Sequence, residues 1–158
     1  MNTTAKSSPA LEPSLKLVQR VLLYKIVITT LLWALPFLLA PTNVLQLLMG
    51  AVPEPIFNLR LLGWAYVALI TGYIGGLLQA RGGVMPLQII AMGLVSNGGA
   101  SLLVLGHLVW GTGADLRGIP AFLTWFSGIA LALITMGLLL AVAQYKRALA
   151  SSFRPTLS

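Results

Sequence analysis

The chain has no cysteine, one histidine and three acidic residues in 158. The missing thiols exclude disulfides, thiolate metal sites, iron–sulfur ligation and thiol redox chemistry. A single histidine denies the chain bis-histidine haem ligation. With only three carboxylates beside it, no metal-binding or metal-catalytic set is expected, and no cofactor either. Charge is scarce as well. Charged residues make up 8% of the sequence, against about 25% in ordinary soluble domains. A fold of this length could not cover itself in water with so few charges.

What is present explains the shortage. Hydrophobic residues make up 58% of the chain, and its mean hydropathy is +0.92. Apolar runs fall at about residues 21–40, 59–79, 85–110 and 119–143. Each reaches the roughly 20 residues that a helix needs to cross about 30 Å of hydrocarbon. Backbone groups in lipid must bond internally, and these runs lack the alternation of a barrel strand. The sequence therefore predicts an all-α polytopic membrane protein, a bundle of four transmembrane helices over residues 17–147. Residues 1–16 read as a cytoplasmic N-terminal tail and 148–158 as a cytoplasmic C-terminal tail. A secretory signal peptide fits the start poorly, because residues 21–40 outrun a normal apolar core of about 7–15 residues.

The connections differ in character. The first, residues 41–58, holds Asn43-Val44-Leu45-Gln46-Leu47-Leu48-Met49, too short to span. Thr42 or Asn43 is a candidate N-cap for a short interfacial helix, which Gly50 and Pro53-Glu54-Pro55 would end. The second, residues 80–84, reads as a tight hairpin. Basic residues divide unevenly. Lys6, Lys16, Arg20, Lys25, Arg81, Lys146, Arg147 and Arg154 lie on one side, and Arg60 and Arg117 on the other. This bias places both termini and residues 80–84 in the cytoplasm. Under that orientation Trp33, Trp64, Trp110 and Trp125 share the outer half, as a belt or an aromatic cluster. The net charge of +7 then reflects headgroup contact and topology, and no nucleic-acid partner is expected.

Small residues mark packing faces. The second span carries Gly72 and Gly76 at Gly-xxx-Gly spacing, the third Gly93 through Ser101, the fourth Gly128 and Gly137. Packing within the chain, with the third span near the centre, is the expected use. A homodimer or another membrane protein docking on the Gly72/Gly76 face is the alternative. Pro36, inside the first span, predicts a kink. Lys25 is expected to snorkel to the headgroups along its aliphatic stem.

The residues that invite a ligand are polar ones at the membrane. Asn97 sits mid-span and must satisfy its amide. Glu54, Asn58 and Arg60 precede or open the second span, His107 closes the third, and Asp115 follows it. All five belong to one expected membrane level. Arg60 would pair there with Glu54 or Asp115, or meet an anionic headgroup or a quinone oxygen. No nucleophile, base and orienting group converge, so catalysis is not indicated. No carboxylate lies inside a span, which removes the usual coupling group of a proton-driven exporter.

The run Asn58-Leu59-Arg60-Leu61-Leu62-Gly63, with Tyr66, Gly72 and Tyr73 after it, resembles small bacterial four-helix membrane proteins of the DoxX-like and uncharacterised-domain type. The resemblance rests on an Arg-x-x-Gly motif behind a proline-containing outer loop. It implies a bacterial cytoplasmic-membrane setting and slightly favours an accessory role. Three functions are therefore expected in order. The first is a non-enzymatic accessory or assembly subunit of a membrane complex. The second is a quinone- or lipid-binding subunit or enzyme with an outer-level site. The third is a small transporter.

Overall fold

The structure, a computed structural model, describes residues 11–111 and 115–152. Five helices follow one another: α1 (Glu12–Leu39), α2 (Thr42–Met49), α3 (Phe57–Arg81), α4 (Leu87–Trp110) and α5 (Gly118–Ser152). No strand occurs among the described residues. The fold is all-α, and α1, α3, α4 and α5 are each long and apolar enough to cross a membrane.

Two helices outrun their apolar stretches. With 28 and 35 residues, α1 and α5 extend about 42 and 52 Å, beyond the roughly 30 Å of hydrocarbon. The added turns contain good helix formers. In α1, Pro13 sits in the first turn, where a missing N–H costs nothing. Glu12 and Lys16 pair there at 2.6 Å. In α5, Gln144, Lys146, Arg147, Ala148 and Leu149 carry no breaker, so the helix simply continues.

The first span changes its winding just ahead of Pro36, by a specific device. Over Thr30–Ala34 the helix widens to a π turn, and the Leu35 N–H bonds the Thr30 carbonyl five residues back. Proline cannot donate to the fourth residue before it, and its ring crowds that carbonyl. A wider turn just ahead accommodates both. At the next break, Ala40 leaves the helix and Pro41 precedes α2. Neither Thr42 nor Asn43 caps α2. Pro41 holds the N-cap position and no side chain bonds there. Leu45 of α2 is fully buried beneath it, and Gly50 ends it at φ +80°.

The small residues pack the helices within the chain. A Cβ on Gly76 would lie 2.7 Å from Ile89, and one on Gly72 would lie 3.4 Å from Met92. The Gly72/Gly76 face thus packs against α4 of the same chain. Glycines likewise seat α5 against α4 and α1, with Leu105 against Gly128 and Val21 against Gly137.

Helix α4 is not central, contrary to the expectation from its small residues. It packs along α5 and touches α3 only narrowly, whereas α1 packs against both α3 and α5. The other side of α4 is bare: Val95, Leu102 and Leu103 are 77–78% exposed, and no atom outside its own helix lies within 4 Å of a Cβ placed on Gly99. Composition showed that α4 could approach something closely, but not on which face.

The buried residues form two groups. One, near the α3–α4 hairpin, joins Leu15, Val18 and Leu22 to Tyr73, Leu77, Ile90, Ile134 and Leu138. The other, near α2, joins Phe37, Leu45 and Leu59.

Candidate functional site

The residues expected to cluster at the α2 end do not form an ionic network. Glu54, Asn58, His107 and Asp115 are exposed. Arg60 pairs with neither Glu54 nor Asp115. Its guanidinium donates to the Phe37 carbonyl at 2.7 Å and to the Ala40 carbonyl at 2.8 Å. The reason lies in the chain itself. The Phe37 carbonyl would normally receive the N–H of residue 41, and Pro41 has none. Arg60 reaches across from the start of α3 and supplies the missing donor, with its positive charge at a helix C-terminus, where it is favoured.

The rest of the Arg-x-x-Gly motif serves the same clasp. Gly63 lies one turn after Arg60 and is buried. A Cβ there would stand 2.9 Å from Leu38 and 3.2 Å from Phe37. The motif draws α3 onto the end of α1. The signal for this was present in the sequence as Pro41 and Arg60, but nothing local connects residues 19 positions apart.

The candidate site lies deeper. A partly open cavity of about 300 Å³ is enclosed by side chains from all four long helices. Lys25, Trp33 and Phe37 come from α1, Tyr66 from α3, Ser96, Asn97 and Val104 from α4, and Thr124 and Ser127 from α5. The two buried clusters lie on either side of it along the bundle. It survives because α3 and α4 meet closely only near their hairpin, through Gly72, Tyr73 and Gly76 against Ile89, Met92 and Ser96. At the level of Tyr66 and Val104 the cavity stands between them. A second cavity, of about 140 Å³ beneath α2, shares Trp33, Phe37, Thr124 and Ser127 with the first.

Lys25 corrects the sequence expectation. It does not snorkel. The residue is 7% exposed and its ammonium lies 5.9 Å from the centre of the Tyr73 ring, a cation–π contact. It makes no hydrogen bond or ion pair among the described residues. Its placement follows from helical spacing: Leu15, Val18, Leu22, Lys25 and Thr29 recur every three or four residues and are all buried. Lys25 occupies a core position of an inward stripe. That periodicity was the available signal, and reading Lys25 as a span-end lysine obscured it. One turn further along the same stripe, the Thr29 hydroxyl is also fully buried and has no partner among the described residues.

Asn97 is buried beside this lysine and solves its hydrogen bonding locally. Its amide donates to the Gly93 carbonyl at 2.7 Å and to the Tyr73 hydroxyl at 3.4 Å. That hydroxyl also meets Ser96 Oγ at 3.1 Å. Ser101, the other suggested partner, turns instead to the Gly128 carbonyl of α5 at 3.0 Å. Above the polar group, Trp33 stacks on Tyr66 with centroids 6.3 Å apart and meets Phe37 edge-on at 5.5 Å. The tryptophans therefore divide: Trp33 lines the cavity, while Trp64, Trp110 and Trp125 are exposed at the α2 end.

Among the described residues no three His, Cys, Asp or Glu side chains come together to hold a metal ion. The arrangement suits binding: one cation and a few hydroxyl and amide groups at one end of an apolar, aromatic chamber. Pockets of this kind, apolar with few polar groups, are the usual small-molecule sites, and about 300 Å³ is the lower end of their range. No family model, curated protein or solved structure matches the chain. The likeness to DoxX-like proteins rests on the Arg60–Gly63 motif alone.

Proposed function

We propose that the chain is a non-enzymatic accessory subunit of the bacterial cytoplasmic membrane that holds an amphiphile, taken from the bilayer, in the chamber between its four long helices. The observation that carries this reading is the chamber itself, lined from every long helix and furnished with a buried lysine. The separation of α3 from α4 at its level supplies a lateral route from the lipid. The proposal moves the binding residues inward. Arg60 serves the clasp, and Lys25 and Ser96 serve the ligand.

Charge supports the orientation with both termini and the α3–α4 hairpin in the cytoplasm. Removing the buried Lys25 from the eight basic residues on that side leaves seven, against Arg60 and Arg117 on the other. In this orientation α2 lies at the outer interface, with Val44 and Leu47 exposed on its surface. Reporter fusions within residues 82–84 are expected to report the cytoplasm; an external signal there overturns the topology.

The binding reading is tested on full-length protein extracted from native membranes in mild detergent. Native mass spectrometry is expected to show an added mass that organic extraction releases. Ala100→Trp, which fills the chamber, should abolish that mass without lowering membrane abundance. Ligand-free protein in native membranes, or an adduct indifferent to Ala100→Trp, defeats the proposal. The same extract tests the accessory role through co-purification with a larger complex.

A further inference from the structure

We infer that the occupant is a single-chain amphiphile with one negative charge, of the long-chain carboxylate class, whose head pairs with Lys25. The inference rests on the binding reading above and names its ligand. The first observation is an unbalanced charge. Lys25 is more than nine-tenths buried and faces the chamber, with its ammonium 5.9 Å from the centre of the Tyr73 ring. A buried ammonium is tolerated when a counter-charge accompanies it. The chain has three acidic side chains in all, and none is near. Glu12 is taken by Lys16 on an exposed turn, and Glu54 and Asp115 are exposed at the α2 end. No acidic side chain of the chain supplies that counter-charge, so an anion from outside would supply it.

The second observation is the shape of the surroundings. The Ser96 hydroxyl lines the same chamber as the ammonium, so the head of the ligand meets both a charge and a neutral polar group. One cation matches one negative charge, which favours a carboxylate over a phosphate dianion. Beyond the polar end the wall is aromatic and aliphatic, through Trp33, Phe37 and Tyr66. The second cavity continues past Trp33 and Phe37 under α2. Two adjoining cavities of about 300 and about 140 Å³ suit one flexible chain rather than a two-chain phospholipid. A neutral quinone would suit the walls but would leave the lysine uncompensated.

The test uses full-length protein in detergent, with dibromostearate as probe and its methyl ester as the uncharged control. Bromine quenches tryptophan emission, and Trp33 lines the chamber. The acid is expected to give a saturable quench that Trp33→Phe removes. The ester should bind roughly ten- to a hundredfold more weakly, the worth of a charged hydrogen bond. Lys25→Gln should weaken the acid by a similar factor and leave the ester unchanged, while Lys25→Arg should retain preference for the acid. Equal binding of acid and ester by the native protein overturns the charge inference and leaves the binding reading standing. No saturable quench from either probe overturns both. Should Lys25→Gln fail to fold, the acid-against-ester comparison on the native protein still decides.

Discussion

Arg60 gives the Phe37 carbonyl the hydrogen bond that Pro41 cannot, at 2.7 Å. A proline that ends one helix is thereby tied to an arginine that opens the next, and the Ala40 carbonyl shares the same guanidinium. This relationship reassigns the most conspicuous charged residue at the α2 end from ligand contact to structure.

Arg60→Ala should lower stability by about 1.5–3 kcal/mol, since it strips a charged donor from partly buried carbonyls. Membrane abundance and thermal unfolding in detergent should both fall. His107→Ala and Glu54→Ala, at exposed positions, should leave both unchanged. Normal abundance of Arg60→Ala would show that the clasp does not hold the fold.

Gly76→Ala forces a methyl group to 2.7 Å from Ile89, and overpacking of this kind costs about 1–3 kcal/mol. Gly75→Ala is its control, because nothing stands within 4 Å of a Cβ there. Helix propensity should make that variant neutral or slightly stabilising. Equal unfolding temperatures for the two variants would contradict the close approach of α3 and α4.

Thr29→Val should stabilise the protein. The hydroxyl is fully buried without a partner among the described residues, and an unsatisfied buried hydroxyl costs about 1–3 kcal/mol. Valine keeps the shape without the polar atom. A loss of thermal stability would reveal a partner for the hydroxyl, such as the ligand itself, and repeating the melt after organic extraction would distinguish the two.

Glu12 titrates below its ordinary value of 4.5, first because it accepts a hydrogen bond from Lys16 and second because of that charge. A depressed carboxyl pKa contributes stability above the unfolded value and loses it as pH falls through the folded one. The first turn of α1 should therefore fray as pH drops below about 4.5. Both groups are exposed, so salt should weaken the effect. Amide exchange of residues 15–18 reads it, and Glu12→Gln should abolish the pH dependence.

Much of this architecture was legible in the chain. Four apolar runs became four helices long and apolar enough to cross a membrane, as expected where a backbone in lipid has no alternative but internal bonding. Pro36 marked the distorted segment, and residues 43–49 announced α2. What sequence reading missed concerned direction. Lys25 and Asn97 were visible, but which way each helix turns its face depends on neighbours far away in the chain. The spacing from Leu15 to Thr29 identified an inward stripe, yet a lysine near a span end has an equally good local alternative in snorkelling. For α4, glycines on several sides gave no choice between α3 and α5.

Composition and hydropathy by themselves determined an all-helical chain with four membrane-length helices and excluded cysteine chemistry. Tertiary structure alone decided that Arg60 completes the end of α1, that Gly76 is filled by Ile89, and that Lys25 faces a chamber with no carboxylate of its own. The division has a physical cause. Burial of the backbone in lipid is a local demand that each segment meets alone, whereas the pairing of a carbonyl, a glycine or a charge is met by whichever residue the packing brings to it.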